Sequence, residues 1–258
     1  MIIPLDIVDY ILSFLQPDQP SLISCLKAHP LLSNLVKRHF FVETGLRNFT
    51  VSIPDPFFYH SQLYNILSTE PHIANYIRTL YIELRPPCND ENRAEAYRET
   101  SLILANLPLL HKIVLYSNLE KFLTWGHLDE SFNNALIKCL RLPTLKKFSV
   151  AISNFPLDIL DRFHSLDELS LVCDIQPFSS HLPPVDTLRL YKFQTLGIAL
   201  MWAISDNCLR SLVLLNFGNN DILMLAQMPI DTLKELTLDL SSACRFIFLF
   251  FSLPNQYL

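Results

Sequence analysis

The stretch Leu166-Asp-Glu-Leu-Ser-Leu171, matched shortly afterwards by Val185-Asp-Thr-Leu-Arg-Leu190, decides the fold. Both spell apolar-x-x-apolar-x-apolar, and the same hexapeptide recurs in register along the chain. Upstream it is carried by Ile77, Leu80 and Ile82, by Leu110, Ile113 and Leu115, and by Leu145, Phe148 and Val150. Downstream it is carried by Leu209, Leu212 and Leu214 and by Leu233, Leu236 and Leu238. One such hexapeptide says little, whereas seven in one order mark internal repetition. The first two steps between copies are 33 and 35 residues and the later four are 19 to 24. The last positions of each copy alternate as a half-buried strand requires, and the intervals leave room for a helix on the opposite face.

Several intervals carry helical periodicity. Asp129–Leu140, Phe193–Ile204, Asn220–Gln227 and Ser242–Phe251 place apolar residues at three- and four-residue steps, three of them after an Asp, Asn or Ser able to cap. Pro108, Pro143, Pro183, Pro184 and Pro229 stand between helix and next strand, where a helix must stop. The repeating unit of helix, proline turn and strand, together with its length, resembles the leucine-rich repeat. The family's ninth position, usually Asn or Cys, is Asn118, Ser153, Asp174 or Ser241 in four copies but Arg85, Phe193 or Phe217 in the others. The expected fold is therefore an α/β solenoid of about seven irregular strand-helix units over residues 76–258. An ordinary α/β sheet is the alternative.

Residues 1–45 read differently. Ile3-Pro-Leu-Asp-Ile-Val-Asp-Tyr-Ile-Leu-Ser-Phe-Leu15 predicts a helix opened by Pro4, with Asp6 and Asp9 where the helix dipole favours acids. Leu5, Val8, Leu12 and Leu15 form one apolar stripe; Ile7, Ile11 and Phe14 form a second. A module this small cannot bury both, so one stripe needs a partner or the first repeat. Pro17-Asp18 ends that helix, a second follows over Pro20–Ala28, and a third over Leu31–Phe41. Residues 46–75 read as a helical linker or first cap.

Pro4-Leu5-Asp6-Ile7-Val8, Ile11-Leu12, Phe14-Leu15, Asp18, Ser21-Leu22, Cys25 and Arg38-His39-Phe40-Phe41 together resemble the F-box of fungal F-box proteins. Two departures are Ile3, where Leu usually precedes the proline, and a third helix without the tryptophan often found there. The resemblance implies that Pro4, Leu5, Ile7, Val8, Ile11, Leu12, Leu15, Leu22 and Cys25 bind a Skp-type adaptor, and through it a cullin. The repeats would then hold a protein substrate for an SCF-type (cullin-RING) ubiquitin ligase. The alternatives are a helical end cap that binds no adaptor and a leucine-rich-repeat scaffold unconnected with ubiquitin.

The chemistry of the remaining residues points the same way. Charged residues make up only 17% of 258 and the net charge is −5, which supplies no basic footprint for nucleic acid. The longest apolar runs, Leu196–Ile204 and Phe246–Leu253, fall well short of the ~20 residues a membrane helix needs. Six dispersed cysteines without a C-x-x-C pair suit a cytoplasmic or nuclear protein with reduced thiols. The four glycines are too scattered for a phosphate loop or nucleophile elbow, and no histidines stand at zinc-ligand spacing. No catalytic residue, metal site or cofactor is expected. Cys139 reads as a small buried hydrophobe, Trp125 and Trp202 as packing, and Asn89-Asp90-Glu91 as a solvated loop.

In each hexapeptide the third and fifth residues, and the one after the hexapeptide, alternate away from the apolar triplet. The column following the triplets is Glu83, Tyr116, Ala151, Val172, Tyr191, Leu215 and Asp239, with Tyr81, Lys112, Lys147 and Arg189 beside it. Aromatic and basic residues dominate interface energetics, so Tyr81, Lys112, Tyr116, Lys147, Arg189 and Tyr191 are the candidate substrate contacts. Phe248–Phe251 near the C-terminus lack a polar cap and are expected to make that end of the array sticky.

Overall fold

The structure, a computed structural model, describes residues 4–46, 57–84, 90–117, 124–152, 154–172, 184–191, 209–217 and 233–240. The helices expected over Phe193–Ile204, Asn220–Gln227 and Ser242–Phe251 lie outside these residues, as do Trp202 and Phe248–Phe251. So do the ninth-position residues except Phe217. The chain divides into two compact units, residues 1–114 with 129–144, and residues 115–128 with 145–258.

The first unit opens with three helices, α1 (Leu5–Phe14), α2 (Gln19–Ala28) and α3 (Ser33–Phe41), the last preceded by a short 3-10 turn at Pro30–Leu32. Pro4 has no helix position to disrupt at its N-terminal site, and its carbonyl accepts the first helical bond from the Val8 N–H at 3.2 Å. Asp18 caps α2, accepting the Ser21 N–H at 3.2 Å and the Ser21 hydroxyl at 2.5 Å. Leu12, Leu22 and Val36, one from each helix, make the module's core, with Val8, Leu15, Cys25, Leu26 and Leu35 packed around it.

From α3 the chain runs directly into strand β1 (Glu43–Leu46). This strand pairs in parallel with β2 (Phe57–Phe58) on one side and β3 (Thr79–Leu84) on the other. The strand order is β2-β1-β3-β4, with β4 spanning Lys112–Ser117. The parallel sheet thus takes in a strand some thirty residues before the first hexapeptide, and the 46–75 segment is not wholly helical. It holds β2 as well as α4 (His60–Thr69) and a 3-10 turn at Pro71–Asn75. The reason lies in Phe40 and Phe41. Phe41 stacks on Phe58 at 5.6 Å and Phe40 meets Phe58 edge-on at 6.1 Å, so the aromatic end of α3 draws β2 beside β1.

A further correction concerns Asp90-Glu91, which open helix α5 (Asp90–Ala105) and do not form a loop. Acids are favoured in a first helical turn, and Tyr97, Ile103 and Leu104 are buried from it. The many polar residues of its first half hide the stripe in the sequence. Helix α6 (Glu130–Leu140) follows the expectation, with Asp129 accepting the Ser131 N–H at 2.8 Å. Phe132 and Tyr97 join α6 to α5 at 5.5 Å, and the buried Cys139 thiol donates to the Leu104 carbonyl at 3.3 Å. Burial pushes that thiol up to about 12, which leaves it unreactive near neutrality.

In the second unit β5 (Lys147–Ala151), β6 (Leu166–Val172), β7 (Val185–Tyr191), β8 (Ser211–Phe217) and β9 (Glu235–Leu240) stand in chain order, each parallel to the next. Their register keeps the hexapeptides level: Phe148, Leu169, Leu188, Leu212 and Leu236 form one row, and Val150, Leu171, Leu190, Leu214 and Leu238 the next. Of the twenty-one residues that define the seven triplets, all but the half-buried Leu236 are buried. After β5 the chain turns through Asn154 at φ 55°, a left-handed conformation that Asn tolerates, and buries Phe155. Trp125 packs edge-on against Phe155 at 5.1 Å, in the packing role expected of it. The result is an open α/β arrangement of solenoid type, in which one column of leucines repeats per strand.

Between α4 and α5, Thr100 donates its one hydroxyl proton to the Ala96 carbonyl at 2.7 Å, so at 2.5 Å it can only accept from His60 Nδ1–H. His60 Nε2 is then a bare, buried acceptor with no hydrogen-bond partner among the described residues. Desolvation pulls the imidazole down to about 4. An unfolded histidine takes up its proton near pH 6.5, whereas the native one resists until about pH 4. The stability from a neutral His60 is therefore complete above pH 6.5 and lost as pH falls between those values, by about 3 kcal/mol at 1.36 kcal/mol per unit. In urea unfolding at pH 7.5 and 4.5, the wild type should lose about that much more stability than His60→Asn. Parallel losses would contradict this account.

Candidate functional site

Helix α1 builds the first candidate surface. Its inner side, Val8, Leu12 and Leu15, belongs to the module core, while Ile7, Tyr10, Ile11 and Phe14 stay 47% to 66% exposed. Tyr10 and Phe14, one turn apart, meet edge-to-face at 4.8 Å, so the outer stripe is a fixed apolar patch. On its margin the Asp9 carboxylate binds Arg38 and, at 2.9 Å, His39, tying α1 to α3. Burial raises the Asp9 carboxyl, but the hydrogen bonds and charges of His39 and Arg38 outweigh it and hold the group below its usual range.

The structure separates the nine expected adaptor contacts. Pro4, Leu5, Ile7 and Ile11 are exposed; Val8, Leu15 and Cys25 are half-buried; Leu12 and Leu22 are wholly interior. Leu12 and Leu22 therefore hold the module together and are not accessible contacts. Leu5, the first residue of α1, stands outside the module core and is 63% exposed. Tyr10 and Ile23 are exposed apolar residues missed by the sequence reading. The step from Ile7 to Tyr10 to Phe14 is the signal that would have found Tyr10.

The second surface is the sheet face opposite the leucine columns. In the first unit the Lys112 ammonium lies over the Tyr81 ring at 5.6 Å, bringing two expected contacts together. Burial first, and the charge of Glu43 second, push the Tyr81 phenol above its usual range. Thr79 and Glu83 are buried on either side of it, so of that strand's alternate side chains Tyr81 alone reaches the surface. Glu83, expected to face water, is inside.

In the second unit Lys147 and Arg189 converge on one carboxylate. Glu168 accepts the Lys147 ammonium at 3.3 Å on Oε2 and the Arg189 Nε–H at 2.7 Å on Oε1. Ser149, Ser170 and Arg189 form a single row across β5, β6 and β7. Tyr116 is half-buried on β4; the side chain of Tyr191 lies outside the described residues. His111, His127 and His164 are exposed, and among the described residues no group of three or more His, Cys, Asp or Glu could hold a metal ion. No described helix is long and apolar enough to cross a membrane. Comparison of the chain with protein-family models, with curated proteins and with solved structures finds no match.

Proposed function

We propose that this chain is the substrate-recognition subunit of an SCF-type ubiquitin ligase. In this reading α1 docks on a Skp-type adaptor, and the open sheet face takes a protein substrate. The observation that carries it is the outer stripe of α1: four large apolar side chains on one helix face, left in water by a module whose core takes Val8, Leu12 and Leu15 from the other face. An apolar helix face of this kind binds in a groove, by the i, i+3/i+4, i+7 anchoring that Ile7, Ile11 and Phe14 offer. The test is affinity purification of the full chain from its own cell extract followed by mass spectrometry. Adaptor and cullin together support the reading, and their absence from a sample that retains other partners overturns it.

A second reading, a leucine-rich-repeat scaffold whose helices merely cap the sheet, is favoured by one feature. The three-helix module continues without a break through α3 into β1, and Arg78 and Thr79 donate backbone hydrogen bonds back to the Val42 carbonyl. A cap needs that continuity. It does not need an apolar outer stripe, which is why the adaptor reading is preferred.

A further inference from the structure

We propose that the open face of β5, β6 and β7 binds an acidic peptide segment through one carboxylate, gripped by Arg189 and Lys147 on either side of Glu168. This rests on the part of the preceding reading that gives the sheet face a protein partner. Glu168 Oε1 meets the Arg189 guanidinium at Nε, 2.7 Å away; a guanidinium carries four N–H donors besides Nε–H, and with the side chain half exposed it has donors to offer a second anion. Lys147 likewise spends one contact on Glu168, and the side chains of both cations are about half exposed, at 49% and 47%. Beside them Ser149 and Ser170 make no side-chain hydrogen bond among the described residues. Neighbouring strands lie about 4.8 Å apart, so these hydroxyls are spaced for the polar atoms of an extended chain.

The balance of charge selects the ligand. Two cations less one carboxylate leave a single positive charge at the cluster, enough for one carboxylate. A phosphate dianion would be left with uncompensated charge beside Glu168. The half-buried Ala151 and Val172, one step along the same face, provide an apolar border that strengthens such a pair. Glu168 also holds both cations in place before the ligand arrives, which lowers the entropy lost on binding.

The test uses the full chain and capped seven-residue peptides of serine and threonine with a central glutamate, glutamine or phosphoserine, followed by fluorescence anisotropy. The glutamate peptide should bind about ten-fold more tightly than the glutamine peptide, and the phosphoserine peptide no more tightly than glutamate. Arg189→Gln should erase the glutamate preference, and Glu168→Gln should turn the preference to phosphoserine. The inference is overturned if glutamate and glutamine bind alike, if phosphoserine binds the unaltered chain more tightly, or if Glu168→Gln leaves the preference unchanged. It is also overturned if the glutamate peptide fails to saturate by about 5 mM. Adaptor binding is measured on the same samples. Adaptor bound without a glutamate preference overturns this inference alone, and a glutamate preference without adaptor overturns the ubiquitin-ligase reading alone.

Discussion

Replacing Ile11 by Asp is expected to weaken binding of a Skp-type adaptor by about 10³-fold while leaving the thermal midpoint of the chain nearly unchanged. Ile11 stands in the middle of the outer stripe and is 52% exposed, so in the free chain an aspartate there stays in water and costs little. In the complex the same carboxylate would be enclosed by an apolar groove with no cation, and a buried unpaired charge costs several kcal/mol. Phe14→Asp should act alike. Leu12→Asp is the contrast: Leu12 is 3% exposed between Leu22 and Val36, so its replacement should unfold the module and lose binding for that reason. Calorimetric titration with purified adaptor, paired with thermal melts, separates the two. Equal binding by wild type and Ile11→Asp, or a large drop in the Ile11→Asp midpoint, defeats the proposal. The full chain is the right sample, because Phe41 at the end of α3 is stacked on Phe58 beyond the module.

What the sequence revealed and what it concealed follow from the range of the interactions involved. The hexapeptides are local patterns repeated seven times, and their triplets could be placed because a period-two alternation specifies which face is buried. Sequence periodicity likewise found both stripes of α1. It could not say which stripe was inward, since that depends on where α2 and α3 pack, nor that Leu5 stays exposed while Val8, Leu12 and Leu15 turn into the module. The strands β1 and β2 were missed for a similar reason. Glu43-Thr-Gly-Leu46 is too short to show a period, and β2 is two residues long. Only the pairing of β1 with β3, contacts of long sequence separation, makes a strand of it. The Glu168 bridge between Lys147 and Arg189 was invisible because it needs the register of three strands at once. Read one strand at a time, Lys147 and Arg189 are simply two exposed cations.

That register sets the largest stability effect expected in the second unit. Phe148→Ala should cost about 3 to 5 kcal/mol, the range for removing a fully buried aromatic side chain. Phe148 is 1% exposed and packs between Phe155 at 5.8 Å and Phe163 at 5.3 Å, rings that come from the segment leading to the next strand. It also lies level with Leu169 on β6. Truncation to alanine therefore leaves a void bounded by two rigid rings and a sheet, none of which can collapse inward without breaking the register. The adjoining Ser149 points the other way, and Ser149→Ala should stay within about 0.5 kcal/mol. Urea unfolding followed by tryptophan fluorescence reads the difference, because Trp125 packs on Phe155 and reports on that neighbourhood. In a repeat array each unit leans on its immediate neighbours, so the loss should be felt through β6 as well as β5, and amide exchange at Leu169 and Leu171 should quicken along with that at Val150. If Phe148→Ala costs less than about 1 kcal/mol, or if Ser149→Ala costs as much, then the strand does not present the face that the hexapeptide pattern assigns to it.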